Sequence, residues 1–160
     1  VYRVFVIDAD GETRELATFK RAAGVGGNWM RTIGGLSSDG NLLCVVHGEH
    51  GDILHNAMRV LDADTGAVVA DLEDPGRNLE SAVWTPDHQV IFTSSLGAYE
   101  RPAIWDPRSG ERRDIAIELP GAVFPVDRFE DGSLLARHEF EAAGQMLRIA
   151  LDLLDRSPND

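Results

Sequence analysis

The stretch Leu79–Glu118, LESAVWTPDHQVIFTSSLGAYERPAIWDPRSGERRDIAIE, holds four short strand-like runs separated by two different turn signals. The runs are Leu79–Trp84, Gln89–Ser94, Pro102–Trp105 and Arg112–Glu118, rich in branched and aromatic residues that suit a pleated, half-buried surface. In the last of them Asp114-Ile115-Ala116-Ile117 alternates with period two. Pro86-Asp87-His88 divides the first pair, and Asp106-Pro107-Arg108-Ser109-Gly110 divides the second. The second is a hairpin turn by composition: Asp accepts a bond from the backbone two residues on, Pro presets φ, and Gly supplies a positive φ. With the runs labelled a, b, c and d, the unit is an antiparallel meander.

Outward from this unit, both turn classes recur. The a–b class returns as Ser38-Asp39-Gly40 and as Glu130-Asp131-Gly132, so its acids Asp39, Asp87 and Asp131 are spaced by 48 and 44 residues. Each precedes an apolar run, Asn41–Val46, Gln89–Thr93 or Ser133–Arg137. The c–d class returns at Ile7-Asp8-Ala9-Asp10-Gly11, at Leu61–Gly66 and, more weakly, at Leu151–Asp155, with steps of 54, 44 and 46 between its first acids. Two turn types returning in one order, at a period of about 44 residues, are the plan of a β-propeller blade. A β-sandwich also has short strands and frequent turns, but has no reason to repeat its turn chemistry. The prediction is all-β: a β-propeller segment of about three and a half four-stranded antiparallel blades. Residues 1–19 end one blade, and 31–76, 79–118 and 122–154 are successive blades, the last incomplete. Only Glu139–Leu147 could be read as a helical turn. Incomplete blades leave open sheet edges, so an excised segment, or a chain that needs a partner, is expected. The first residue, Val1 rather than Met, starts directly in a strand-like run.

Apolar residues are 43 % and charged ones 26 % of the 160 residues, which suits a folded globular chain. The 15 Lys and Arg against 27 Asp and Glu give a net charge of −12, which opposes binding to nucleic acid and to anionic membranes. The longest apolar run, Leu42–Val46, is far too short to span a bilayer. Cys44, the sole cysteine, permits no internal disulfide; it lies mid-strand and is expected to act as a small buried hydrophobe. With no basic region and apolar segment opening the chain, the expected compartment is the cytoplasm.

In a meander the a–b and c–d turns share one face of the ring, and the b–c and d–a connections share the other. The second face is expected to carry the long loops: Lys20–Met30, His47–Asn56, Ser95–Arg101 and Glu139–Gly144. Contact residues are therefore expected there, namely His47, Glu49, His50, Asp52, His55 and Arg101. The His47, His50 and His55 spacing matches no common metal motif, and neither a metal nor a cofactor is expected. Gly24-Val25-Gly26-Gly27-Asn28 is no phosphate loop, since Trp29 stands where a third glycine would fall, and it is expected to connect two blades. No G-x-S-x-G elbow exists; the nearest string, Gly35-Leu36-Ser37-Ser38-Asp39, lacks the second glycine, so no catalytic residue is assigned. Trp29, Trp84 and Trp105 are expected to pack between blades.

The run Leu36–Gly40 into Cys44–His47, then Glu49-His50-Gly51-Asp52, Arg59-Val60-Leu61-Asp62 and Ile104–Arg112, resembles the N-terminal propeller domain of prolyl-oligopeptidase-type (S9) serine peptidases. Trp84-Thr85-Pro86-Asp87 is similar to a turn of these and related bacterial propellers, periplasmic translocation propellers among them. The resemblance spans most of Tyr2–Asp152 and implies a non-catalytic domain that caps an α/β-hydrolase and filters peptides on their way to a buried Ser-Asp-His site. The implied partners are that hydrolase domain, absent from these residues, and a passing peptide. A stand-alone half-ring that dimerises to close itself is the alternative expectation, with a homo-oligomer as its consequence.

Overall fold

The computed structural model describes residues 1–26, 35–52 and 54–151. They form thirteen strands: β1 (Tyr2–Ile7), β2 (Thr13–Phe19), β3 (Ala23–Val25), β4 (Leu42–His47), β5 (Ala57–Asp62), β6 (Val68–Leu72), β7 (Leu79–Trp84), β8 (Val90–Leu96), β9 (Tyr99–Trp105), β10 (Arg112–Asp114), β11 (Ala122–Arg128), β12 (Leu134–Phe140) and β13 (Ala143–Ile149). Within each sheet, every strand pairs antiparallel with its neighbour in sequence, giving successive meander sheets of two, four, four and three strands. This is the β-propeller plan.

The turns fold as their chemistry dictates. Asp62 Oδ1 accepts from the N–H groups of Asp64 and Thr65, and Asp106 Oδ1 accepts from Arg108 N–H. At the a–b turns Ser37 Oγ donates to Asp39 at 2.7 Å and Ser133 Oγ to Asp131 at 2.6 Å. The Ser37 hydroxyl and Asn41 N–H together hold the Asp39 carboxyl down at about 2.

The core lies between sheets, because each strand alternates its side chains between two neighbours. Leu43, Val45 and Leu61 face Leu16 and Phe19 of the first sheet. Cys44, Val46, Met58 and Val60 face the third sheet's Leu79, Trp84, Val90, Phe92 and Trp105. From the third sheet's opposite side Val83, Ile91 and Ile104 meet Val123, Leu134 and Ala136 of the fourth. Trp84 and Trp105 pack between blades as expected, while Trp29 lies outside the described residues. Cys44 is fully buried, and burial pushes its thiol up to about 12. A disulfide reagent is expected to leave the native protein unmodified and to titrate one thiol after denaturation; fast labelling of native protein would contradict this packing.

The structure corrects several boundaries. The second sheet begins at Ala23, ahead of residue 31, because β3 pairs Ala23–Val25 with Val45–His47. Gly24-Val25 is thus a strand inside the expected Lys20–Met30 loop; three residues with a central glycine are too few to show an alternation. Ser95–Arg101 is no long loop either, since the β8–β9 ladder continues to Leu96 opposite Tyr99 around Gly97-Ala98. Glu139–Leu147 is neither helical turn nor loop: β12 and β13 join directly through Glu141 and Ala142, both at positive φ (47° and 61°). Neither residue is a turn former, which hid the hairpin. The expected strand Arg112–Glu118 leaves the ladder after Asp114, and Ile115 tucks into the core between the third and fourth sheets. Of the weak turn at Leu151–Asp155 only Leu151 is described.

Candidate functional site

Of the four connections expected to be long, His47–Asn56 alone is a long loop among the described residues. It leaves β4 at a buried histidine. His47 stacks on Phe19 at 5.7 Å between ring centroids, and its Nε2 lies 3.7 Å from Asp71 Oδ1. Its Nδ1 accepts from Glu49 N–H at 3.3 Å, which puts the ring proton on Nε2. That Nε2 is buried without a hydrogen-bond partner among the described residues. Glu49 then turns back on the blade behind: its Oε1 accepts from Lys20 N–H (2.6 Å) and Arg21 N–H (3.3 Å), which hold its carboxyl below the usual range. Further along, Asp52 closes the loop on itself, bonded to His55 Nδ1 at 2.6 Å and to Leu54 N–H at 2.9 Å.

The six expected contact residues therefore do different things. His47 is a buried anchor, Glu49 a clasp on the preceding connection, and Asp52 with His55 an internal brace. His50 is exposed. Arg101 stands apart, in β9 opposite Ser94, where its guanidinium binds the carbonyls of Gly121 and, at 2.7 Å, Leu119. It fastens the link to the fourth sheet rather than joining the histidine loop. Among the described residues no group of three His, Cys, Asp or Glu side chains is arranged to hold a metal ion.

Two arginine networks escaped the sequence reading. Arg59 lies 5.6 Å over the Phe19 ring and binds Asp71 at 2.7 Å. Arg112 lies 5.4 Å over Phe92 and joins Asp74, Ser94 (3.2 Å) and Asp114 (3.3 Å), while Arg77 bridges Asp74 (3.4 Å) and Asp114 (3.3 Å). Arg59 and Arg112 each cover an aromatic ring between sheets and end on an acid of strand d. For Arg59, which stands opposite Asp71 in the β5–β6 ladder, an arginine facing a carboxylate across a hairpin was the available signal.

Burial and the Arg59 cation hold the His47 pKa below its ordinary 6.5, against the opposite pull of Asp71 and Glu49. The unfolded imidazole takes up a proton near pH 6.5 while the folded one resists it, so stability is full above that pH and is lost as pH falls toward the folded-state value. His47→Gln is expected to flatten the decline of the urea midpoint as the pH falls below about 6.5. An unchanged slope would assign that decline to other groups.

Ser37, Asp39 and His88 are neighbours, but their order is wrong for nucleophilic catalysis. Ser37 Oγ donates to Asp39 Oδ1 and His88 Nε2 lies 3.4 Å from Asp39 Oδ2, so the carboxylate stands in the middle and no base addresses the hydroxyl. The Ser37 oxygen also accepts Leu42 N–H at 2.9 Å, which makes it a turn brace.

The chain matches no protein-family model and no curated protein. Among solved structures it is similar to TolB from Acinetobacter baumannii, with a TM-score of 0.66, 16 % identity and 92 % of this chain covered. The match takes in 34 % of TolB, so the chain spans about a third of that protein's length. At this identity the likeness is one of fold, and it agrees with the meander sheets in making the chain part of a β-propeller.

Proposed function

We propose that the chain is a non-catalytic propeller segment that docks on an α/β-hydrolase domain and filters the peptides that reach it, as in prolyl-oligopeptidase-type serine peptidases. The observation that carries this reading is the asymmetry of the two faces. One is closed by tight Asx turns, whereas the other holds out the His47–Asn56 loop, with Leu54 75 % exposed and Glu49 clasping the preceding connection. A long loop tied near its start to the preceding connection offers a surface suited to contact. The Glu49–Asp62 resemblance to peptidase propellers supports the choice of partner. So does the arrangement of Ser37, Asp39 and His88, which offers a brace in place of a nucleophile. The likeness to TolB supports the propeller scaffold and is neutral on the partner. The lone buried thiol of Cys44 is compatible with a cytoplasmic setting.

Two measurements test the reading. A serine-directed fluorophosphonate is expected to leave this chain unlabelled, with no turnover of a prolyl peptide substrate; labelling or inhibitor-sensitive turnover would overturn it. The reading frame around the coding segment is expected to encode a G-x-S-x-G elbow followed by Asp and His, and a frame without them would overturn the peptidase partner. Light scattering adds a third outcome, since a stable closed dimer would favour a self-completing ring over a gate.

A further inference from the structure

We propose that a cleft between the third and fourth sheets binds the positively charged side chain, lysine or arginine, of a peptide lying across the loop face. The proposal rests on the peptide-handling reading above and names a binding site for it. The cleft has a volume of about 690 Å³ and is lined by Tyr99, Ala122, Glu139, Phe140, Glu141 and Ala143. That volume falls in the range of roughly 300–1,000 Å³ common to ligand sites. Its rims are the β8–β9 and β12–β13 hairpins, so it opens on the same face as the His47–Asn56 loop.

The charges select the occupant. The cleft is lined by two carboxylates and by no cation. Two arginines border the cleft: Arg101 is held on the Gly121 and Leu119 carbonyls and lies 5.4 Å over the Tyr99 ring, and Arg137 pairs with Glu139 at 2.9 Å and lies 5.0 Å over Phe124, so Glu141 is the carboxylate left for a ligand. Glu141 has no ion-pair partner among the described residues. A ligand carboxylate would meet Glu141 with like charge, in a chain whose net charge is −12. A lysine or arginine side chain instead lays its methylene stem on Tyr99, Phe140 and the alanines and brings its cation to Glu141. Solvent-exposed pairing makes this contact modest and sensitive to salt.

The test is an amide NMR titration of the whole purified chain with four blocked pentapeptides that differ only at the central residue: lysine, arginine, norleucine or glutamate. The lysine and arginine peptides are expected to shift the amides of Tyr99 and of Glu141–Gly144, to bind at least about threefold tighter than norleucine, and to weaken as salt rises. Glu141→Gln is expected to remove most of that preference, and Glu141→Lys to abolish it; both changes lie on an exposed turn. Equal binding of lysine and norleucine peptides, shifts confined to another part of the molecule, unchanged affinity in both variants, or no binding at all would each overturn the proposal. The two readings fail separately. Lysine-selective binding here, with no hydrolase encoded beside the segment, sinks the peptidase partner and leaves the cleft standing; a hydrolase with no selective binding does the reverse.

Discussion

Trp105→Ala is expected to lower the unfolding free energy by about 3–5 kcal/mol, the usual cost of emptying a large aromatic site in a core. Trp105 ends β9, is 1 % exposed and stands between Val90 and Arg112 in the ladder. It belongs to the cluster that joins the second sheet to the third, with Met58, Val60 and Trp84 around it. Removing the indole strips the largest fully buried side chain from that junction, and neighbouring strands locked in ladders cannot close the gap. Small domains are stable by only about 5–15 kcal/mol, so the variant is expected to unfold at a much lower urea concentration. Trp105→Phe keeps most of the buried area and is expected to cost less than half as much. Urea titrations followed by circular dichroism decide this, and a midpoint unmoved by the alanine change would mean that the two sheets do not depend on each other.

Gly66→Ala is expected to be the more damaging of two matched turn-glycine substitutions, for a reason visible only between blades. Gly66 has φ +73°, and an added Cβ would sit 3.1 Å from the Leu16 carbonyl carbon and closer still to its oxygen. The obstacle is the backbone of β2, which cannot rotate aside. Gly110 occupies the matching place in the next c–d turn, with φ +78° and open space for 4 Å around the position of an added methyl group. Gly110→Ala therefore reports the conformational cost alone, on the order of 1 kcal/mol. Gly66→Ala adds the clash, and should exceed its counterpart by about a further 1 kcal/mol or more. Hydrogen exchange is expected to show β1 and β2 losing protection first. Equal effects of the two substitutions would remove the contact between the second c–d turn and the first sheet.

The repeat was legible because its signals are local. Asp62 meets the backbone of Asp64 and Thr65, and Asp106 that of Arg108, so these turns are decided within a few residues. Strand alternation around Leu43–Val46 or Val90–Phe92 follows in the same way from the pleat. What stayed hidden was either too short or carried by residues without a turn preference: β3 with three residues around Gly24, and the hairpins through Ala98 and Ala142. Of the expected site, the His47–Asn56 loop was legible from its glycines and polar residues, whereas the separation of Arg101 from it was not. The pairing of Arg101 with Gly121 and Leu119 joins groups about 20 residues apart in the chain.

A register shift of one residue shows where local reading ends. In the second sheet Ser37 N–H reaches Leu42 O, whereas the matching bonds run from Thr85 to Gln89 and from Phe129 to Ser133, so the first of these turns holds one extra residue. With that residue counted, His47, Ser94 and His138 fall at one place, the end of strand b, and all three are buried and polar. Counting from the turn acids alone puts His47 opposite Ser95 and Glu139 instead. The amino-acid sequence by itself determined the period, the strand order and which face carries the long loop, because turn chemistry and side-chain alternation act over a handful of neighbours. Tertiary structure alone decided which polar groups are buried at the blade junctions and what they meet there. Phe19 over His47 and Asp74 on Arg112 are contacts between groups 28 and 38 residues apart, brought together only when one sheet packs on the next.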